Sequence, residues 1–277
     1  MTPYRYRGGT ALVTGAASGI GAALAVDLAS RGSDLVLLDR DEEGLTRIAA
    51  LARRQPVAVE TVVADLADRA GTREIGARLA RDYPEVTLLL NVAGVALGGR
   101  FEDVTLDEFE WLLDIDLHAP IALTAALLPV LLTHPGSHLA NVSSIFGIVA
   151  PPGQAAYATA KFGLRGFTEA LAAELAGRVG VTVVHPGGIR TRIAESARLA
   201  ARLDPAEAER GRRAIARVLR IPPRVAAERI LEGVERRRPR VLIGASAVLP
   251  DLAVRIAPVT TQRLFARGVR RAGAPGL

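Results

Sequence analysis

Tyr157 and Lys161 stand four residues apart in the run Tyr157-Ala158-Thr159-Ala160-Lys161. On a helix, positions i and i+4 share one face, so the phenol and the ammonium would be neighbours. A free tyrosine titrates near ~10, too high for easy proton exchange at neutral pH. A cation held beside it favours the phenolate and lowers that value. Such a pair can act as a general acid or base. Ser143-Ser144 follows an apolar, β-rich run, and a serine hydroxyl there could hold a substrate oxygen next to the phenol. Lys161 carries extra weight: of the 35 basic residues it is the single lysine. A lysine kept against that arginine bias points to a required group. Other chemistries recede. The chain has no cysteine, which removes thiolate catalysis and a disulfide framework and fits a reducing compartment. No two of His118, His134, His138 and His185 have metal-ligand spacing, so no metal site is expected.

A second constellation lies near the start. Thr14-Gly15-Ala16-Ala17-Ser18-Gly19-Ile20-Gly21 closes a β-rich run and opens a helical one. The spacing G-x-x-x-G-x-G is a relative of the dinucleotide fingerprint. Gly15 lets the chain turn tightly, and Gly19 and Gly21 remove side chains where a pyrophosphate and a packed helix must come close. The helix behind them points its first N–H groups at that phosphate. Asp39 lies 24 residues after Gly15, at the end of the second apolar run. A carboxylate there accepts hydrogen bonds from the adenosine ribose and repels a 2′-phosphate, which favours NAD. Arg40 beside it leaves NADP open.

The elements that must position these groups follow from periodicity. Short apolar runs at Thr10–Thr14, Asp34–Asp39, 57–63, Val86–Asn91, 138–143, 180–185 and 240–244 read as strands. Most are continuous rather than alternating, as in parallel strands covered on both faces. Helical periodicity occupies 19–31, 42–53, 68–82, 105–133, 155–176, 194–218 and 223–236. This alternation predicts an α/β, Rossmann-type doubly wound parallel sheet of about seven strands with helices on both faces. The stretch 117–160 holds no Asp, Glu, Lys or Arg, and 119–132 is strongly apolar, but prolines punctuate it and it is shorter than the ~20 residues of a span. It reads as a helix buried in the core or in a subunit interface. Charge is split along the chain: residues 1–189 hold 15 basic and 21 acidic side chains, residues 190–277 hold 20 and 8.

Taken in order, these motifs resemble the classical short-chain dehydrogenases/reductases from about residue 8 to 245. The resemblance rests on Thr14 to Gly21, Asp65, Asn91-Val92-Ala93-Gly94, Ser144, Tyr157 with Lys161, and Pro186-Gly187-Gly188-Ile189-Arg190-Thr191. It implies an NAD(P)-dependent enzyme that interconverts a secondary alcohol and a ketone by hydride transfer. It implies that Ser144 polarises the carbonyl, that Tyr157 is the acid/base, and that Lys161 binds the nicotinamide ribose and lowers the tyrosine's pKa. By the same resemblance Asp65, with Leu66, touches the adenine. Asn91, Ala93 and Gly94 support the sheet and line the cofactor, and Pro186, Gly187, Ile189 and Thr191 hold the nicotinamide end. Two positions depart from the pattern. Val92 replaces a second asparagine, and Asp116 stands where the family's fourth catalytic residue is asparagine. An aspartate can still accept a relay water's hydrogen bonds but brings a charge toward Lys161.

The remaining expectations are coarser. The chain reads as a single domain, with a substrate-covering segment at about 190–222 and a basic tail at 246–277 that caps the active site, packs on a partner subunit or touches an anionic membrane, in that order. Phe109 and Trp111 read as packing residues and His185 as a structural histidine. The arginines of 190–240 read as a solvated basic face rather than a site for an anionic substrate. The expected partner is a small-molecule alcohol or ketone, without metal or nucleic acid, acted on by a cytoplasmic homodimer or homotetramer. The rival reading is a non-catalytic dinucleotide sensor or nucleic-acid-associated regulator. It fits poorly, because residues 190–277 interleave only Phe265 with their basic side chains.

Overall fold

The computed structural model describes residues 1–193, 196–204, 206, 209, 211, 213 and 218–271. Seven strands form one parallel sheet: β1 (Thr10–Thr14), β2 (Asp34–Asp39), β3 (Val59–Val63), β4 (Val86–Asn91), β6 (His138–Val142), β7 (Gly180–Pro186) and β9 (Arg240–Ile243). Their spatial order is β3-β2-β1-β4-β6-β7-β9. The expected doubly wound Rossmann-type sheet is therefore present. The winding reverses between β1 and β4, and a crevice opens at the carboxyl ends of the strands where that happens.

The sheet is central because both of its faces are apolar. In β1, Ala11 and Val13 enter one core and Leu12 the other, the period-two alternation of a strand. The first core is closed by α1 (Gly19–Ser30), α2 (Glu42–Ala52) and α7 (Pro223–Glu235), through Leu24, Leu28, Leu45, Ile230 and Val234. The second is closed by α3 (Arg69–Asp82), α5 (Ala119–Thr133) and α6 (Ala155–Glu174), through Leu79, Leu123, Leu127, Leu131 and Leu171. The chain beyond the sheet forms α8 (Ala245–Ile256) and α9 (Pro258–Arg271).

Three differences from the sequence reading bear on the site. The helix expected over 105–133 is α4 (Leu106–Leu113), a π-helical turn (Asp114–His118) and α5 in one continuous run. Leu106–Thr133 is thus 28 residues, long and apolar enough to cross a membrane by length and composition. The sequence reading weighed only the strongly apolar run 119–132 against that length and found it too short. Here its leucine stripe is buried on the sheet. Inside the helix expected at 194–218, Arg198–Leu199 is instead a strand, β8, paired with β5 (Leu97–Gly98). Backbone bonds from Arg198 to Ala96 (3.0 Å) and from Ala200 to Gly98 (2.8 Å) fix it there. Residues 194, 195, 205, 207, 208, 210, 212 and 214–217 of that expectation, and 272–277 of the tail, lie outside the described residues. The strand expected from 57 begins at Val59, where pairing with β2 starts in the second residue of that strand.

Candidate active site

A cleft of about 650 Å³ lies over the carboxyl ends of the strands. Its first wall is the turn between β1 and α1. Gly15 has φ +69° and Gly19 φ +55°, conformations that L side chains rarely adopt. A Cβ on Gly21 would overlap the Gly15 carbonyl oxygen, and one on Gly19 would press on Thr191. Ser18 is the N-cap residue of α1 yet makes no side-chain cap, so the first N–H groups of that helix face the cleft without a competing side chain. Thr14 accepts hydrogen bonds from the Val92 and Ala93 amides (2.9 and 3.0 Å) and ties this turn to the end of β4. The turn is thus close-packed, with no side chain of its glycines between the end of β1 and the start of α1.

Asp39 ends β2 at the rim. One of its oxygens accepts from the Ala17 amide (3.0 Å) and the other from the Asp41 amide (3.1 Å). The carboxylate is thereby fixed against the glycine turn. Arg40 points outward and approaches Asp65 at 3.9 Å, both more than half exposed. Asp65 and Leu66 border the same end of the cleft. Asn91 does not border it: it is buried, donating to Asn141 (2.8 Å) and Thr124 (3.2 Å). Asn141 passes the chain on to Thr168 (2.9 Å). Asn91 thus bolts β4 to β6 and α5, while Val92, Ala93 and Gly94 carry the wall.

Ser144, Tyr157 and Lys161 converge at the floor. Ser144 leaves β6 and caps a short helical turn, Ile145–Gly147, by accepting from the Phe146 amide (3.1 Å). Its hydroxyl and the Tyr157 phenol border the same part of the cleft, and the serine pulls the phenol's pKa down. Behind it, the His185 ring, pinned by Ser144's carbonyl oxygen (2.8 Å), holds the backbone. Burial pushes the His185 pKa down to about 4, so the ring is neutral and donates that bond, as a structural histidine should. Ser143 donates to the Lys161 carbonyl (2.8 Å) and locks the β6 loop onto α6.

Lys161 is buried. Its ammonium donates to the Val142 carbonyl (3.2 Å), forms an ion pair with Asp116 at 3.1 Å, and lies 5.5 Å from the centre of the Tyr157 ring. Asp116 comes from the π-helical turn and is wholly buried; its other oxygen accepts from the Val95 amide (2.8 Å). Burial pushes the Asp116 carboxyl up, against the pull of Lys161. Burial opposes the ammonium too, but Asp116 and Tyr157 outweigh it and hold Lys161 above the ordinary lysine value. For the tyrosine the expected lowering does not prevail. Burial pushes the phenol up, Lys161 pulls it down, and Asp116 pushes it up again. The cation acts with the expected sign, but in a dry site that also holds a carboxylate. A Cβ on Gly94 would sit 3.3 Å from both Asp116 and Lys161, so the loop after β4 seals the pair.

The opposite lip is the segment after β7. The Ile189 amide donates to the Gly187 carbonyl and the Thr191 amide to Ile189 (both 2.9 Å), coiling Pro186 to Thr191 tightly at the cleft. Phe146, Gln154 and Ser246 are among the bordering residues that had no part in the sequence reading. Gln154 sits one helical turn before Tyr157, a spacing that could have flagged it. Phe265 was read only as a tail residue, and it borders the cleft as well. Phe109 and Trp111 are packing residues: Phe109 meets Phe101 edge-on, and the Arg198 guanidinium lies 3.7 Å over the Trp111 ring. Much of the basic face of the last third is paired along helix surfaces. Arg229 and Arg236 meet Glu232 (both 3.0 Å), and Arg240 and Arg255 meet Asp251 (2.6 and 3.1 Å).

Comparison with known proteins agrees with this geometry. The family model for short chain dehydrogenases matches residues 9–202. The chain is 36% identical over 270 residues to SadH of Mycobacterium tuberculosis, described as an oxidoreductase, covering 96% of this chain and 97% of that one. A short-chain dehydrogenase/reductase from Burkholderia phymatum, solved in complex with NAD, superposes with a TM-score of 0.82 at 26% identity, over 94% of this chain and 96% of its own. A short-chain dehydrogenase from Sphingobium yanoikuyae, in complex with NADPH, gives 0.74 at 30% identity, over 92% and 94%.

Proposed function

The chain belongs to the short-chain dehydrogenase/reductase family, and from that premise we propose that it is an NAD(P)-dependent oxidoreductase interconverting a secondary alcohol and a ketone, with Tyr157 as general acid/base. The observation that carries this reading is the convergence of Ser144, the half-buried Tyr157 and the buried pair Lys161 and Asp116, with the ammonium 5.5 Å from the centre of the phenol ring. A nicotinamide supplies or accepts the hydride when bound. The glycine turn, Asp39, Asp65 and the lip from Pro186 to Thr191 are the groups that would hold its dinucleotide. NAD is the preferred form because Asp39 offers a carboxylate where a 2′-phosphate would have to be buried.

The protein's own work is proton handling. In reduction, Ser144 and Tyr157 donate hydrogen bonds to the carbonyl oxygen, which polarises it. Tyr157 then gives its proton to that oxygen. Lys161 stabilises the phenolate left behind, and Asp116 keeps the lysine charged and oriented. In oxidation the phenolate takes the proton from the alcohol. The sensor or nucleic-acid reading is not favoured, because each group the chemistry needs is present and assembled. The chain acts as one oxidoreductase domain with a basic tail, in a cytoplasmic homodimer or homotetramer.

The test is NADH consumption with a panel of ketones, alongside Tyr157→Phe. The variant should lose roughly 10²–10⁴-fold in kcat, the usual worth of a positioned acid/base, while its NADH dissociation constant stays within about twofold of the parent's. A Tyr157→Phe variant that turns over at the parent rate removes the tyrosine from the mechanism.

A further inference from the structure

The tail does not hang free of the cleft. Gln262 in α9 grips the backbone of Ala150 from both sides: its side-chain oxygen accepts from the Ala150 amide at 3.1 Å and its amide nitrogen donates to the Ala150 carbonyl. Ala150 lies in the loop between Ser144 and Tyr157. One helical turn on, Phe265 projects from the same face and meets Phe146 edge-on at 6.5 Å; Phe146 meets Tyr157 edge-on at 6.0 Å. Three rings thus run from the chain's last helix to the proposed acid/base. Around them the cleft is bordered by Val95, Ala96, Ile145, Pro151 and Leu219. Among the described residues at this end, Arg192 is the one charged side chain apart from the Lys161 pair, and it is exposed.

We propose that α9 is a fixed wall of the substrate chamber, and that the chamber takes a neutral, apolar ketone or secondary alcohol whose larger substituent seats on Phe265 and Phe146. This rests on the alcohol/ketone reading given above. A charged substrate would lose its hydration here with only the exposed Arg192, at the margin of the chamber, to replace it. An aryl or alkyl group gains contact with rings already held in edge-to-face order. The Gln262 clamp makes the wall part of the resting protein, so it need not be ordered when substrate arrives.

The experiment offers the purified protein, with NADH, three ketones: acetone, acetophenone and pyruvate. The expected order of kcat/KM is acetophenone, then acetone, then pyruvate. Phe265→Ala should cut the acetophenone value by about tenfold or more, the scale of a lost apolar contact in a pocket, and the acetone value by less than about threefold. Gln262→Ala, which releases the wall without changing its ring, should move the preference the same way. Leu249→Ser, on the exposed face of α8, serves as the control and should move neither. Equal losses on acetone and acetophenone, or pyruvate as the best substrate, overturn the chamber while the alcohol/ketone reading stands. If no ketone consumes NADH, that reading falls instead. The chamber is then judged by thermal shift: a stabilisation by acetophenone that Phe265→Ala abolishes supports it, and no stabilisation in the parent overturns it.

Discussion

At one end of the cleft the wall is backbone, and at the other it is side chain. The dinucleotide end is mainly a turn of glycines, the Asp39 carboxylate and the first amides of α1, supplied within the first forty residues, with Asp65 and Leu66 beside them. The far end is a set of apolar and aromatic side chains gathered from the loop after β4, the loop after β6, the segment after β7 and the last helix. Backbone walls demand particular residue types at particular spacings. Side-chain walls demand only shape and polarity, which many sequences can supply. Damage should differ accordingly: a methyl group added to the first wall disrupts it, whereas ring removal from the second retunes it.

The sharpest break in that contrast comes from Gly21→Ala. Its Cβ would overlap the Gly15 carbonyl, and overpacking of this kind costs about 1–3 kcal/mol. At the upper end that is roughly a hundredfold in NADH affinity. Fluorescence titration with NADH reads it directly. An unchanged dissociation constant would mean the turn does not face the cofactor, and the two ends would no longer differ as described.

A smaller effect is expected at the rim. Asp39→Ala removes the carboxylate held by the Ala17 and Asp41 amides and leaves Arg40 alone beside the ribose site. The ratio of NADP to NAD dissociation constants should fall by about tenfold, the worth of one modest charge interaction. Tighter NADP binding by the parent protein would reverse the assignment.

The smallest effect tests the boundary between the ends, where Asp116 meets Lys161. Asp116 raises the Tyr157 pKa, so Asp116→Asn should lower it. Oxidation needs the phenolate, so the limb of kcat/KM that rises with pH should move to lower pH. Reduction needs the phenol, so its falling limb should move the same way. Asparagine keeps the acceptor for the Val95 amide, so most of the rate should remain. A pH–rate profile superimposable on the parent's would show that Asp116's charge does not reach the tyrosine.

The same contrast explains what could be read from the sequence. Gly15, Gly19 and Gly21 were legible because close backbone approach leaves no other residue type. Tyr157 and Lys161 were legible because helical periodicity alone makes them neighbours. The seven parallel strands were legible because burial on both faces writes continuous apolar runs. Phe146 and Phe265 meet across more than a hundred residues, and no local period announces such a contact. The β5–β8 pair escaped for a related reason: two-residue strands are too short to carry an alternation. Asn91 was placed on the cofactor wall by its motif, but its amide turns inward to Asn141, a partner 50 residues away. The tyrosine's pKa was read from its cation alone, because burial and a second charge are properties of the folded site.

The π-helical turn at Asp114–His118 closes with a bond from the Ala119 amide to the Asp114 carbonyl, five residues back instead of four. Such a turn is a phase offset written into a helix. It lets α4 present Leu112 and α5 present Leu123, Leu127 and Leu131 to their own neighbours, while the residue between them, Asp116, is rotated onto Lys161. Deleting one residue from the turn would give a regular helix with a full complement of backbone bonds, and would rotate everything beyond it by about 100°. Either the leucine stripe would leave the sheet or the carboxylate would leave the lysine. The extra residue therefore works as a vernier: it allows one long helix to satisfy two registers at once, one set by packing and one by proton chemistry.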